Sequence, residues 1–165
     1  MEAELLEQLY MAHHGAAYAY CLSLCGDVHL ASDIAADAFV KAYLSLPDNV
    51  PSFRYWLLRV CKNLYFDHLR HKQFEATDES LQFLSDGKTP ESLYIQNETH
   101  QALWNAIAAL SPADRELLTL HYFSGLSLQE IAPIMGKPYT AVRQRMVRLR
   151  QTLKQRMEEQ GYGKS

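Results

Sequence analysis

Apolar side chains return at every third or fourth residue through about 4–25, 28–46, 52–73, 97–110, 112–124, 127–135 and 138–157, and no segment alternates with period two for long. A chain patterned this way has one stripe to bury on each of several helices and no sheet to bury it against, so the expected class is all-α. Between 74 and 96 the pattern dissolves into Glu75-Ala-Thr-Asp-Glu-Ser80 and Ser85-Asp-Gly-Lys-Thr-Pro90, relieved only by Leu81, Phe83 and Leu84. That composition reads as a flexible linker. It divides a helical domain over 1–73 from a second over 97–157, which is followed by a tail at 158–165.

Charge is divided along the same line. The net charge is -3, yet residues 1–97 carry 7 Lys+Arg against 13 Asp+Glu, whereas residues 98–165 carry 9 against 6. Opposite balances in two halves imply different partners, one a protein and the other nucleic acid. No apolar run approaches bilayer length, and the first residues, Met-Glu-Ala-Glu, are acidic where a secretory signal is basic, so a cytoplasmic protein without membrane insertion is expected.

The basic half carries its charge in one place. Ser127 precedes Glu130 by three residues, the spacing of a capping box; Leu128, Ile131 and Met135 supply an inward face, and Gly136 offers a positive-φ exit. Pro138 then suits the first turn of a second helix, whose cap position falls to Lys137. In that helix Val142, Met146, Leu149 and Leu153 form the buried stripe, leaving Arg143, Gln144, Arg145, Val147, Arg148 and Arg150 outward, with no acid between Glu130 and Glu158. An unbroken positive face neutralises phosphates, and Arg and Gln pair bidentately with guanine and adenine edges in a major groove. A solvated helix that is merely basic would not need the capped helix and glycine turn in front of it, so a helix-turn-helix is the reading. Pro133 inside the first of these helices removes a backbone hydrogen bond, with a kink or weakening expected at a cost of about 3 kcal/mol.

Upstream, Ser111-Pro112 with Asp114 in the first turn opens another helix, and Trp104, Ile107, Leu110, Leu117, Leu118, Leu120 and Phe123 read as the core beneath the basic helix. In the acidic half, Asp33, Asp37 and Lys41 make one row at helical spacing beside the apolar Ile34 and Ala38. Residues 51–72 interleave Arg54, Arg59, Lys62, Arg70 and Lys72 with Phe53, Tyr55, Trp56, Tyr65 and Phe66. Cations alternating with rings suit an unpaired nucleic-acid strand, although Trp56, Leu57, Val60, Leu64 and Phe66 also read as core. Cys21, Cys25 and Cys61 lie among apolar neighbours without a metal-knuckle spacing, and are taken as small core residues; neither a metal nor a cofactor is called for.

Four segments in order resemble the extracytoplasmic-function (ECF) sigma factors of bacterial RNA polymerase. They are Asp33-x-x-Ala36-Asp37-x-Phe39; Phe53-x-x-Trp56-Leu57-x-x-Val60-x-x-Asn63-x-x-x-Asp67-x-x-Arg70; Leu110-Ser-Pro112-Ala-Asp-Arg115-Glu116; and the helix-turn-helix. Ala36 and Ala38 depart from the polar residues usual in the first.

The resemblance implies sigma region 2 in the N-terminal half and region 4 in the C-terminal half. Region 2 would meet the β′ clamp helices of core polymerase through Asp33, Asp37, Phe39, Val40 and Lys41. Residues 44–54 would form a loop that captures an unpaired base of the minus-10 element, and Phe53, Arg54, Tyr55, Arg59, Lys62 and Asn63 would hold the opened strand. Region 4 would read the minus-35 element with Lys137, Tyr139, Thr140, Arg143, Gln144, Val147 and Arg148 while its other face meets the β flap. It further implies an anti-sigma protein as a partner, and no catalysis by this chain. The competing readings are a stand-alone helix-turn-helix regulator and, more remotely, an enzyme built on Cys21, Cys25 and nearby histidines.

Overall fold

The computed structural model describes residues 2–47, 50, 52–74, 105–159 and 161, and among these all regular structure is helical. Helix α1 (Ala3–Cys25) ends where Gly26 adopts φ 67°, and the chain restarts at once. Asp27 accepts hydrogen bonds from the backbone N–H groups of His29 (2.9 Å) and Leu30 (3.1 Å), capping α2 (Val28–Ser45). A left-handed exit followed directly by an Asp cap turns the chain within two residues, so α2 lies against α1. Helix α3 (Phe53–Phe74) packs on both and completes a three-helix unit around Tyr20, Cys21, Leu57, Leu58 and Cys61, all of them buried.

The expected linker lies outside the described residues apart from Phe74, the last residue of α3, and so do 97–104 of the next expected helix, including Trp104. The chain resumes with a helical piece at 105–108. Ser111 then accepts from the N–H of Asp114 (3.3 Å), with Pro112 in the first turn of α4 (Pro112–Leu118). This helix continues into a π-helical turn at Thr119–Phe123, where the N–H of Ser124 reaches back to the carbonyl of Thr119 (3.0 Å). Helix α5 (Leu128–Met135) opens on the capping box expected of it: Ser127 Oγ accepts from Glu130 N (3.1 Å) and Glu130 Oε1 from Ser127 N (3.0 Å). Gly136, at φ 65°, leads to α6 (Tyr139–Glu159).

Several expectations need correction. Phe123, expected in the core, is 59% exposed. The π turn has more residues per turn than an α-helix, so Phe123 lags behind the face on which regular spacing from Glu116 and Thr119 would have placed it. In α3 the buried positions run through Leu57, Leu58, Cys61 and Tyr65, which leaves Phe66 on the exposed side. Helix α6 starts one residue late and ends two late: Pro138 rather than Lys137 stands at the cap, its carbonyl accepting from Val142 N (3.1 Å), and Glu158 and Glu159 are helical rather than tail. Pro133 does not interrupt α5. It lies on the exposed side, as does Gln129, the residue four before it, whose carbonyl receives no N–H from the proline.

The two halves share one apolar interior. Helix α1 packs against α4 and the π turn as well as against α2 and α3, so that Ala17, Tyr20, Leu117 and Leu120 belong to a single cluster. Leu57→Ala is expected to destabilise the chain by roughly 2–5 kcal/mol, the range for emptying a leucine site in a packed core. Ser127→Ala is expected to cost about 1 kcal/mol through the lost cap. Shifts of the urea midpoint, followed by circular dichroism, check both.

Candidate nucleic-acid interface

The clearest candidate surface is α6. Val142, Met146 and Leu149 are buried behind it, and Arg143, Gln144, Val147 and Arg148 stand exposed on the opposite side, with Lys137, Tyr139 and Thr140 exposed at its start. Two further arginines of the helix are spoken for. Arg145 donates to Asp114 Oδ1 at 2.9 Å, tying α6 to α4, and Arg150 Nε donates to the Tyr122 hydroxyl at 2.9 Å. The basic helix is thus divided into arginines that orient it and arginines left open to a ligand.

Each polar residue of 110–116 has an identifiable job. Leu110 is core, Ser111 and Pro112 start α4, and Asp114 holds Arg145. The Arg115 guanidinium donates to the Leu110 carbonyl at 2.5 Å, closing off the end of the preceding helical piece. Glu116, only 8% exposed, turns away from its own half: its Oε2 accepts from the Tyr20 hydroxyl at 2.6 Å and pairs with Lys62 Nζ at 2.9 Å. Burial first, and then the charge and hydrogen bond of Glu116, push the Tyr20 phenol well above its ordinary pKa, which keeps it a donor.

The residues expected to hold an opened strand are split by the fold. Arg59 and Asn63 are exposed; Arg59 lies over the Tyr55 ring, its Cζ 5.6 Å from the centroid. Phe53 packs between Phe39 and Trp56 at ring separations of 6.2 and 6.0 Å. Lys62 is engaged with Glu116 and also donates to the Ile134 carbonyl at 2.7 Å. Arg54 donates to the Ser124 carbonyl at 2.8 Å and, through Nε, to His13 Nδ1 at 3.3 Å. Burial and the adjoining Arg54 charge lower the His13 pKa, so the ring stays neutral and accepts. Arg54 and Lys62 therefore face the C-terminal half and not solvent. Of the expected base-capturing loop 44–54, Leu44 and Ser45 end α2 and Phe53 and Arg54 begin α3; Asp48, Asn49 and Pro51 lie outside the described residues.

On α2, Asp33, Asp37, Val40 and Lys41 are exposed and continue into Tyr43 and the 73% exposed Leu44. Phe39, grouped with them from sequence, is only 5% exposed; it packs edge-on to Tyr10 with ring centroids 5.0 Å apart and supports the face from behind.

Two family descriptions match the chain, Sigma-70 region 2 over residues 9–75 and Sigma-70 region 4 over 100–153. The ECF RNA polymerase sigma factor SigW of Bacillus subtilis is 32% identical over 155 residues, covering 86% of this chain and 83% of that one. The chain belongs to the ECF sigma factor family. The ECF RNA polymerase sigma-E factor of Escherichia coli K12 is also 32% identical, over 146 residues, with 81% of this chain and 75% of the relative covered. Among solved structures, the sigma factor RpoE of Bartonella quintana, determined in complex with the anti-sigma factor NepR, superposes with a TM-score of 0.67 at 25% identity, covering 92% of this chain and 96% of that one.

In this sigma factor the region 2 match contains α2, α3 and most of α1, and the region 4 match contains the helix-turn-helix, so both expected regions are present in the expected order. No described helix is long and apolar enough to cross a membrane, and the described residues contain no group of three or more His, Cys, Asp or Glu side chains placed to hold a metal.

All three cysteines are buried, as core residues would be. Hydrogen bonding to Cys61, followed by burial, raises the Cys21 pKa, and burial pushes Cys25 up to about 11. Thiolate is the reactive form, so a raised pKa and burial act together against modification. Ellman's reagent at pH 8 is expected to find none of the three thiols in the native protein on the timescale of minutes and all of them in guanidinium; a fast native phase would contradict the packing around α1 and α3.

Proposed function

We propose that region 4 of this sigma factor reads a minus-35 element through Arg143, Gln144, Val147 and Arg148, with Lys137, Tyr139 and Thr140 on the flanking phosphates. Region 2 docks on the polymerase β′ clamp helices through the α2 surface and stabilises a melted minus-10 strand along α3. The observation that carries this reading is the exposed polar row on α6, backed by a buried stripe and held to α4 by Arg145 and Asp114, in a chain that also matches region 2. Guanidinium and amide groups on a helix of this kind have the geometry to pair with base edges, and cations at its start can neutralise backbone phosphates.

The family's function is promoter-specific transcription initiation, and its members are not enzymes. Phosphodiester chemistry accordingly belongs to the polymerase, and the chain's contribution is binding energy distributed between protein and DNA. The exposed Val40, Tyr43 and Leu44 beside Asp33 and Asp37 suit a docking surface with an apolar centre and charged surroundings. Val40, Tyr43 and Leu44 also support an anti-sigma protein as a competitor for that surface, and the face of region 4 away from α6's readout positions is assigned to the β flap. The protein works in the cytoplasm, where its polymerase is.

The test is transcription in vitro with bacterial core polymerase and a pool of promoter fragments. Wild type is expected to direct initiation from a subset, and Arg143→Ala/Arg148→Ala to lose it by roughly 1–3 kcal/mol of binding per base contact removed. Asp37→Arg is expected to weaken association with core polymerase while leaving the protein folded. Specific duplex binding by the isolated chain as a symmetric dimer, without polymerase association, would instead establish a stand-alone regulator.

A further inference from the structure

The two cations of α3 that lie deepest in the contact between the halves, Arg54 and Lys62, are held by acceptors from the C-terminal half. Lys62 Nζ meets Glu116 Oε2 at 2.9 Å and the Ile134 carbonyl at 2.7 Å, and an Arg54 guanidinium nitrogen meets the Ser124 carbonyl at 2.8 Å. Gly125, at φ 71°, lets the backbone come this close: a Cβ there would stand 3.1 Å from the same Arg54 nitrogen. Tyr20, from α1, supplies a second donor to Glu116 at 2.6 Å. One carboxylate, nearly out of water, thus takes both of these donors on its Oε2 from the other half of the chain.

We infer that Glu116 is an intramolecular latch: with Tyr20 and Lys62 it holds region 4 against region 2 in a closed form that withholds Arg54 and Lys62 from nucleic acid. The inference rests on the strand-holding role proposed above for α3. A phosphate oxygen offers Lys62 and Arg54 the same charge-assisted bond that Glu116 and the two carbonyls offer, so strand and region 4 compete for the same donors. Contacts between domains of one chain resemble transient interfaces; here the polar bonds add to the apolar contact of α1 with α4, so a competitor that replaces them weakens closure. A ligand that binds only the open form sees its affinity reduced by the open fraction, so the latch sets how readily the free chain grips DNA away from polymerase.

The experiment uses the full chain with Glu116→Gln and, as the gentler change, Tyr20→Phe; circular dichroism establishes that each retains its helices. Small-angle scattering reads the separation of the halves. Amine acylation with mass-spectrometric readout reports Lys62 against the exposed Lys41, with and without a single-stranded DNA oligonucleotide. The expected result is a larger radius of gyration and about a tenfold rise in Lys62 labelling in both variants, the change produced if the open fraction grows from roughly a tenth toward one. The oligonucleotide is expected to suppress that labelling in the variants. Unchanged dimensions together with a Lys62 still protected in both variants would overturn the latch. Expansion and labelling without protection by the oligonucleotide would leave Glu116 holding the halves but remove the strand-holding role of Lys62, and with it the claim that closure withholds a DNA-binding group.

Discussion

A carboxylate cannot leave water without donors to replace it, and the arrangement of this chain turns on how Glu116 meets that requirement. Its own half does not supply the donors: they come from Tyr20 on α1 and Lys62 on α3. Satisfying it draws α4 onto α1, and the buried apolar surfaces of both halves become one interior. Truncating one member of such a group strands the others in a poorly hydrated place, which makes the group selective for a single relative arrangement even where its net stabilisation is small. Hydrophobic burial favours contact between the halves; the polar group selects which contact.

The helices themselves were readable because their signals are local. The Ser127–Glu130 box, the Ser111–Pro112 start and the 142–146–149 stripe each need only a turn or two of chain to state their meaning, and each stands where the spacing placed it. The outward positions of α6 were legible for the same reason, since a helix with one buried stripe leaves few choices for its outward face. Gly26 and Asp27 carried an equally local stop and start signal, one that the periodicity on either side overshadowed.

What was not legible depends on partners distant in the chain or on a change of helical pitch. Arg54 and Lys62 have the composition of strand-binding cations, and nothing in their neighbourhood marks that Ser124 and Glu116 would take them up. Phe39 belongs to a motif whose spacing is helical, but whether it faces outward was decided by Tyr10 and Phe53 from two other helices. Phe66 and Tyr65 are adjacent rings of similar apolar size, and which of them turns inward follows from where α3 sits on its neighbours.

The π turn at Thr119–Phe123 amounts to one residue more than a regular helix needs between Leu118 and the loop at Ser124. The wider turn absorbs that extra residue; any further residue added or removed without a matching change of pitch would, at about 100° of helical rotation per residue, swing everything downstream around the axis of α4. The direction in which α6 points is therefore sensitive to chain length at this one place. Insertions and deletions within 119–123 would act on α6 as changes of aim, without touching any of its outward side chains.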